Sequence, residues 1–298
     1  MPGRGTPGST PPPMADRAPI SVLIPVRNEA ANLPACLASA AFCDEIVVVD
    51  SGSTDGTADL ARRAGATVVD FRWDGSFPKK KNWALARVPW RHEWVFILDA
   101  DERITPELAA ELRATVAAPA HDGYYVNRRF WFLDGWLNHC GYYPSWNLRF
   151  FRHRLGRYER PAGPADTRSG DNEVHEHVTL QGSAGRLRAE MEHHAFPDVA
   201  TWVEKHNRYS NWEARLQIAA GADPGGAALD PGLARKRRWR RLAWRLPFRP
   251  ALRFFYHYFL RAGFLDGYRG FVFCRLMAWY EFLCATKAAE LRRAPRSS

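Results

Sequence analysis

Four short apolar runs constrain this chain more than any other feature. They occupy residues 20–25, 46–49, 67–71 and 94–98, and polar or acidic residues follow each. Runs this short, rich in β-branched and aromatic residues, read as strands buried on both faces. Between them lie stretches of helical character: an Ala/Leu-rich one from about residue 30 to 41, one ending near Ala64 with Gly65 as its stop, and one over residues 79–86. Strands alternating with helices at this spacing predict an α/β fold with a doubly wound, mostly parallel sheet. Right-handed crossovers bring every strand's carboxyl end to one edge, the edge where such sheets bind ligands.

That edge is acidic. Asp99, Asp101 and Glu102 follow the fourth run, Asp50 ends the second with Asp55 close behind, and Arg27 and Glu29 follow the first. Carboxylates at the end of a buried strand are costly unless something there requires negative charge. A divalent cation carrying a diphosphate meets that requirement. A solvated turn capping the next helix is the competing reading of residues 99–102, but Thr105 as cap with Pro106 at the first position makes a better helix start. Neither a GxGxxG nor a GxxxxGK[ST] loop is present. Metal and basic side chains would therefore have to hold the phosphates.

Pro25-Val26-Arg27-Asn28-Glu29, Asp50-Ser51-Gly52-Ser53-Thr54-Asp55 and Asp99-Ala100-Asp101-Glu102 resemble the three signatures of family 2 glycosyltransferases with the GT-A (nucleotide-diphospho-sugar transferase) fold, over about residues 20–215. Lys81-Asn82, Val174-His175-Glu176 and residues 205–210 narrow the likeness to lipopolysaccharide-core β-glucosyltransferases. The resemblance implies an inverting, metal-dependent hexosyltransferase that uses UDP-glucose. It assigns Asp50 to the uracil imide, Arg27 and Glu29 to base and ribose, Asp55 to the nucleotide loop and Asp99 to the ribose, with Pro25, Ser53 and Ala100 completing the nucleotide-sugar set. Asp101 becomes the ligand of Mg²⁺ or Mn²⁺, a hard cation suited to oxygen donors. His194 is a loose candidate to complete the metal shell, and a histidine satisfied by hydrogen bonds is the plainer reading. Lys81 would reach the phosphates, with Lys79 and Lys80 as alternates. An inverting transfer needs one base for the acceptor hydroxyl. Glu176 is the candidate and His175 the competitor or its support.

Residues 124–132 and 146–151 alternate like strands, with Trp136, His139, Tyr142, Tyr143 and Trp146 around them. Exposed rings there would form platforms for sugar faces, and core packing is the alternative for most of them. Trp146, Arg149 and His175 are candidate acceptor contacts. Residues 156–172, rich in Gly, Pro, Arg and Asp, suggest a mobile loop closing over the donor. A helix is expected over residues 201–220, with Lys205, Arg208 and Tyr209 near the site.

Residues 221–232 read as a linker, and a helical region over 233–298 follows the catalytic domain of residues 20–220. From 233 to 265 there are ten Lys/Arg and no acidic residue, interleaved with aromatic rings. With no uncharged apolar stretch long enough to span a bilayer, this composition fits helices lying in an anionic membrane interface. Residues 1–19 lack the apolar core of a signal peptide and are expected to be disordered. The five scattered cysteines form no CxxC pair, which fits a reducing compartment. The expected protein is a cytoplasmic enzyme on the cytoplasmic face of the inner membrane, acting on a glycolipid acceptor such as a lipopolysaccharide core. A nucleotidyltransferase shares the plan, but Arg27-Asn28-Glu29 is no Gly-rich phosphate loop. A nucleic-acid-binding protein using the basic region would leave the acidic strand ends unexplained, so no nucleic-acid partner is expected.

Overall fold

The four apolar runs form four adjacent parallel strands. The computed structural model describes residues 17–159, 177–222 and 248–293. In chain order its first elements are β1 (Ala18–Val26), α1 (Leu33–Ala40), β2 (Cys43–Asp50), α2 (Thr57–Arg63), β3 (Thr67–Asp70), α3 (Lys80–Arg87) and β4 (Trp94–Ile97). β5 (Glu102–Ile104), α4 (Pro106–Ala117), β6 (Gly123–Phe132), β7 (Gly135–Trp136), β8 (Trp146–Arg152), β9 (Gly156–Tyr158), β10 (Val178–Leu180) and β11 (Ala184–Phe196) follow. The chain then turns helical, with α5 (Val199–Ala222), α6 (Arg249–Phe255), a π-helical turn (Tyr256–Leu260), a short 3-10 turn (Gly263–Asp266) and α7 (Gly267–Arg293). β1 begins at Ala18, inside the stretch expected to be tail, because Ala18 already pairs with Cys43.

The main sheet runs β3-β2-β1-β4-β8-β6-β11-β5, with β7 paired to β6. Its first four strands are parallel, as expected of a doubly wound sheet. Beyond β4 the sheet is mixed: β8 runs antiparallel to β4 and β6, β11 parallel to β6, and β5 antiparallel to β11. The alternation of side chains along β1 explains its unbroken apolar run. Val22 and Ile24 enter one core with α1 and α4, whereas Leu23 enters the other with α3. Thr105 caps α4, accepting from the Leu108 amide at 3.2 Å, and Gly65, at φ +81°, ends α2 in the left-handed region expected of a stop residue.

The C-terminal helices are not set apart from the sheet. Phe273, Cys274 and Met277 of α7 are buried in one cluster with Phe130 and Phe132 of β6 and Trp202 of α5. Polar contacts fix the same junction. Asp266 accepts from the amides of Asn138 and His139 at 3.2 and 2.9 Å, and Lys287 donates to Asn207 and Ser210. Of the expected linker, residues 221 and 222 belong to α5, and the remainder lies outside the described residues. Of the expected mobile loop, Gly156–Tyr158 is instead β9, paired with β10, and residues 160–172 lie outside the described residues.

Candidate active site at the carboxyl edge of the sheet

Two loops at the ends of β1 and β2 are tied into one unit. Asn28 stands in the left-handed region at φ +57°, a conformation that asparagine tolerates better than most residues. From there its side-chain Oδ1 accepts from the Thr54 amide at 2.8 Å, and its backbone amide donates to Ser53 Oγ at 2.8 Å. Asp50, buried at the tip of β2, accepts from the Ser53 amide at 3.1 Å and from the Ser53 hydroxyl. Asp55 accepts from the Ala30 amide at 3.0 Å and from Thr57, which places it in the loop scaffold. Glu29 accepts from Asn32 at 2.8 Å. Burial lifts its carboxyl above the usual range, and the nearby charges of Asp101 and Asp99 push the same way. Pro25 is half-buried at the end of β1, and Arg27 is exposed beside it.

Behind this pair of loops runs a ladder of alternating charge. Lys81 Nζ pairs with Asp99 Oδ1 at 2.9 Å, Arg149 Nη2 bridges Asp99 Oδ2 at 2.8 Å and Glu102 Oε1 at 2.7 Å, and Arg128 closes on Glu102 at 3.1 Å. Burial opposes ionisation of Asp99, but Arg149 and Lys81 hold its carboxyl well below the usual range. Arg149 was expected at an acceptor; its guanidinium is instead buried among carboxylates, because its position on β8 points it under the β4 end. Lys81 likewise faces Asp99. Lys80 is fully buried and donates to the Val26 carbonyl at 3.0 Å, while Lys79 is buried at the start of α3. Glu102 has no exposed surface and also accepts from the Asp99 amide at 2.9 Å, a structural role. Glu102→Gln leaves the buried Arg149 and the half-buried Arg128 short of a counter-charge. Chemical denaturation should show a loss of about 3 kcal/mol; an unchanged midpoint would mean that water, not Glu102, balances them.

Asp101 differs from its neighbours. Among the described residues its one ion-pair partner is an imidazole: His193 Nε2 stands 3.6 Å from Oδ1. Burial opposes ionisation here too, but the facing His193 holds the carboxyl down at about 2. The antiparallel pairing of β11 with β5 sets His193 opposite Glu102 and lets the His194 amide donate to the Asp101 carbonyl at 2.7 Å. This corrects the expectation for His194. Strand alternation turns its ring to the other face, stacked on Trp131 and 3.0 Å from Glu192. His193 shares its face with the buried Met191 and Ala195, a parity that the sequence carries.

A carboxylate and an imidazole side by side at a strand end are a workable pair of metal donors. Among the described residues there is no cluster of three or more such donors, so a cation held here would take its remaining ligands from a diphosphate and water. Past His193 opens a cavity of about 230 Å³, lined by Asp101, Tyr142, Lys205, Tyr209, Phe273 and Met277 among others. Lys205 and Tyr209 therefore face the site as expected, whereas Arg208 is exposed. The aromatic residues proposed as open platforms are half-buried: Tyr142 packs edge-on against Phe273, Trp136 against Tyr143, and Trp146 lies under Arg186. Ala100 is buried between Asp99 and Asp101. His175 and Glu176 lie outside the described residues.

The parallel half of the sheet thus ends in tied polar loops and a carboxylate that meets an imidazole, at the edge where α/β enzymes bind their ligands. Residues 21–176 match the sequence model of glycosyl transferase family 2, and the chain belongs to that family, with its GT-A fold. It is 31% identical over 289 residues to the lipopolysaccharide core biosynthesis glycosyltransferase LpsC of Rhizobium meliloti (strain 1021), covering 92% of this chain and 93% of that protein. An uncharacterised glycosyltransferase of Rickettsia bellii is 26% identical over 277 residues, covering 91% and 86%. Among solved structures, the mannosyltransferase PcManGT of Pyrobaculum calidifontis, in complex with GDP-Man and Mn²⁺, aligns over 95% of this chain and 90% of its own at 17% identity and a TM-score of 0.49. Glucosyl-3-phosphoglycerate synthase of Mycobacterium tuberculosis, in complex with Mn²⁺ and UDP, aligns over 43% of this chain and 51% of its own at 26% identity and a TM-score of 0.31.

Proposed function

We propose that this glycosyltransferase moves glucose from UDP-glucose, with inversion, to a membrane glycolipid of the lipopolysaccharide-core type, working on the cytoplasmic face of the inner membrane. The observation that carries this reading is Asp101. Its neighbours Asp99 and Glu102 are neutralised by lysine and arginine, whereas Asp101, among the described residues, has His193 as its one ion-pair partner. Asp101 and His193 would hold Mg²⁺ or Mn²⁺, and the chemistry supplied by a bound divalent ion is neutralisation of the charge that grows on the departing diphosphate. In this reading Asp50 receives the uracil imide, with Ser53 fixing its orientation, and Asp99 receives the ribose. Glu176 takes the proton of the acceptor hydroxyl as that oxygen attacks the anomeric carbon. LpsC, similar along nearly its whole length, supports the choice of acceptor class.

Incubation with UDP-glucose and Mn²⁺, without acceptor, tests the reading. Slow release of UDP and glucose is expected. Release of pyrophosphate instead would move the protein to the nucleotidyltransferases, and hydrolysis of GDP-mannose in preference would overturn the donor assignment.

A further inference from the structure

Of the fourteen large hydrophobic residues exposed among the described residues, twelve lie between Phe248 and Phe282; the others are Val199 and Leu291. Phe248 is 82% exposed, Tyr268 76% and Leu260 66%. A soluble surface scatters such residues singly, and a contiguous patch marks an interface. Here the patch is contiguous. Phe255 lies 5.2 Å from Phe259, Phe259 lies 5.1 Å from Tyr258, and Tyr258 lies within 6.2 Å of Phe264 and 5.9 Å of Phe271. Between α6 and α7 it deepens into a groove of about 710 Å³, lined by Leu252, Phe254, Phe255, Trp279 and Phe282 among others, with Arg275 as its one charged residue.

We propose that this face inserts into the hydrocarbon of an anionic phospholipid leaflet and that the groove takes an acyl chain. The membrane-glycolipid reading of the acceptor gives the insertion its purpose; its chemistry rests on the residues named here. Loose folding does not explain the exposure, since the inward residues of α7 belong to a buried core and Glu281 binds Arg249 and Arg253 across the two helices. Charge selects the occupant. The segment from 233 to 265 has ten Lys/Arg and no acidic residue. Three acidic groups follow: Asp266 is held by the 138–139 turn and Glu281 by its two arginines, while Glu290 is exposed near the C-terminal end of α7, beyond the patch and beside Arg292 and Arg293. Apolar rings in so basic a segment, with Glu290 as the one exposed carboxylate among the described residues from 248 to 293, fit a negatively charged lipid surface. No helix among the described residues is long and apolar enough to cross a bilayer, so the mode is in-plane insertion. The opposite face of α7 gives Phe273 and Met277 to the cavity that holds Asp101 and His193. One helix thickness therefore separates lipid from the candidate site.

Flotation of the full chain with vesicles of three parts phosphatidylcholine to one part phosphatidylglycerol tests the proposal. The wild type is expected to float, less so in high salt but not to zero, since the apolar contribution is not screened. The triple variant Phe255→Ser/Phe259→Ser/Leu260→Ser changes only exposed side chains. Its vesicle partition should fall about tenfold or more, while acceptor-free UDP-glucose hydrolysis stays at the wild-type rate. Equal flotation of the variant, complete loss of wild-type flotation in salt, or a wild-type dimer that the variant dissociates with no change in flotation would each overturn insertion through this face. Absence of donor hydrolysis with flotation intact would instead count against the donor reading alone.

Discussion

Asp101→Asn should remove at least about a hundredfold of the turnover, the scale of several kcal/mol that charge neutralisation by a bound ion contributes to a barrier. It should also abolish the Mn²⁺ signal that UDP and the wild-type protein produce together in electron paramagnetic resonance. The substitution is nearly isosteric, and the tie from the Asp101 carbonyl to the His194 amide involves only backbone, so the fold should be retained, with a modestly lower thermal midpoint from loss of the charge that His193 favours. His193→Ala is expected to weaken the same signal while His194→Ala leaves it unchanged, because only the first ring faces the carboxylate. Full turnover in excess chelator would remove the metal from the account.

The second large effect concerns Glu176. Glu176→Gln should cut transfer to a lipopolysaccharide-core acceptor by a factor of about 10² to 10⁴, the range of a positioned base, with UDP affinity unchanged within about twofold. Normal turnover in that variant would hand the role to His175 or to another group. His175→Gln, acting through orientation only, should cost less.

The first hundred residues were legible because their signals are local. β1, β2 and β4 are buried on both faces along their apolar runs, while β3 at the sheet edge is half-exposed, and each acidic cluster sits at the end of its strand by chain order alone. The same locality explains the errors. Arg149 reads on β8 as one of several basic residues, and only the pairing of β8 with β4 brings it beneath Asp99 and Glu102. Two adjacent histidines differ by a single step of strand parity; the apolar Met191 and Ala195 around His193 were the available signal. Asn28 reads in sequence only as part of a motif, yet from its left-handed position its side chain and backbone amide join the loops that follow β1 and β2. The aromatic residues of the C-terminal region were read as one class. The structure divides them by helix face, since Phe273 is buried against β6 while Phe271 and Phe282 are exposed, and periodicity alone does not say which face meets the sheet.

That division bears on how the protein can be handled. Deleting the last helices to be rid of their exposed rings would strip the cover from Phe130, Phe132 and Trp202 and open the wall of the cavity beside Asp101. The fragment would exchange one greasy surface for another and lose its catalytic architecture with it. Solubility has to be sought by repainting the outer side of α6 and α7 with polar residues, leaving the inner side as it stands.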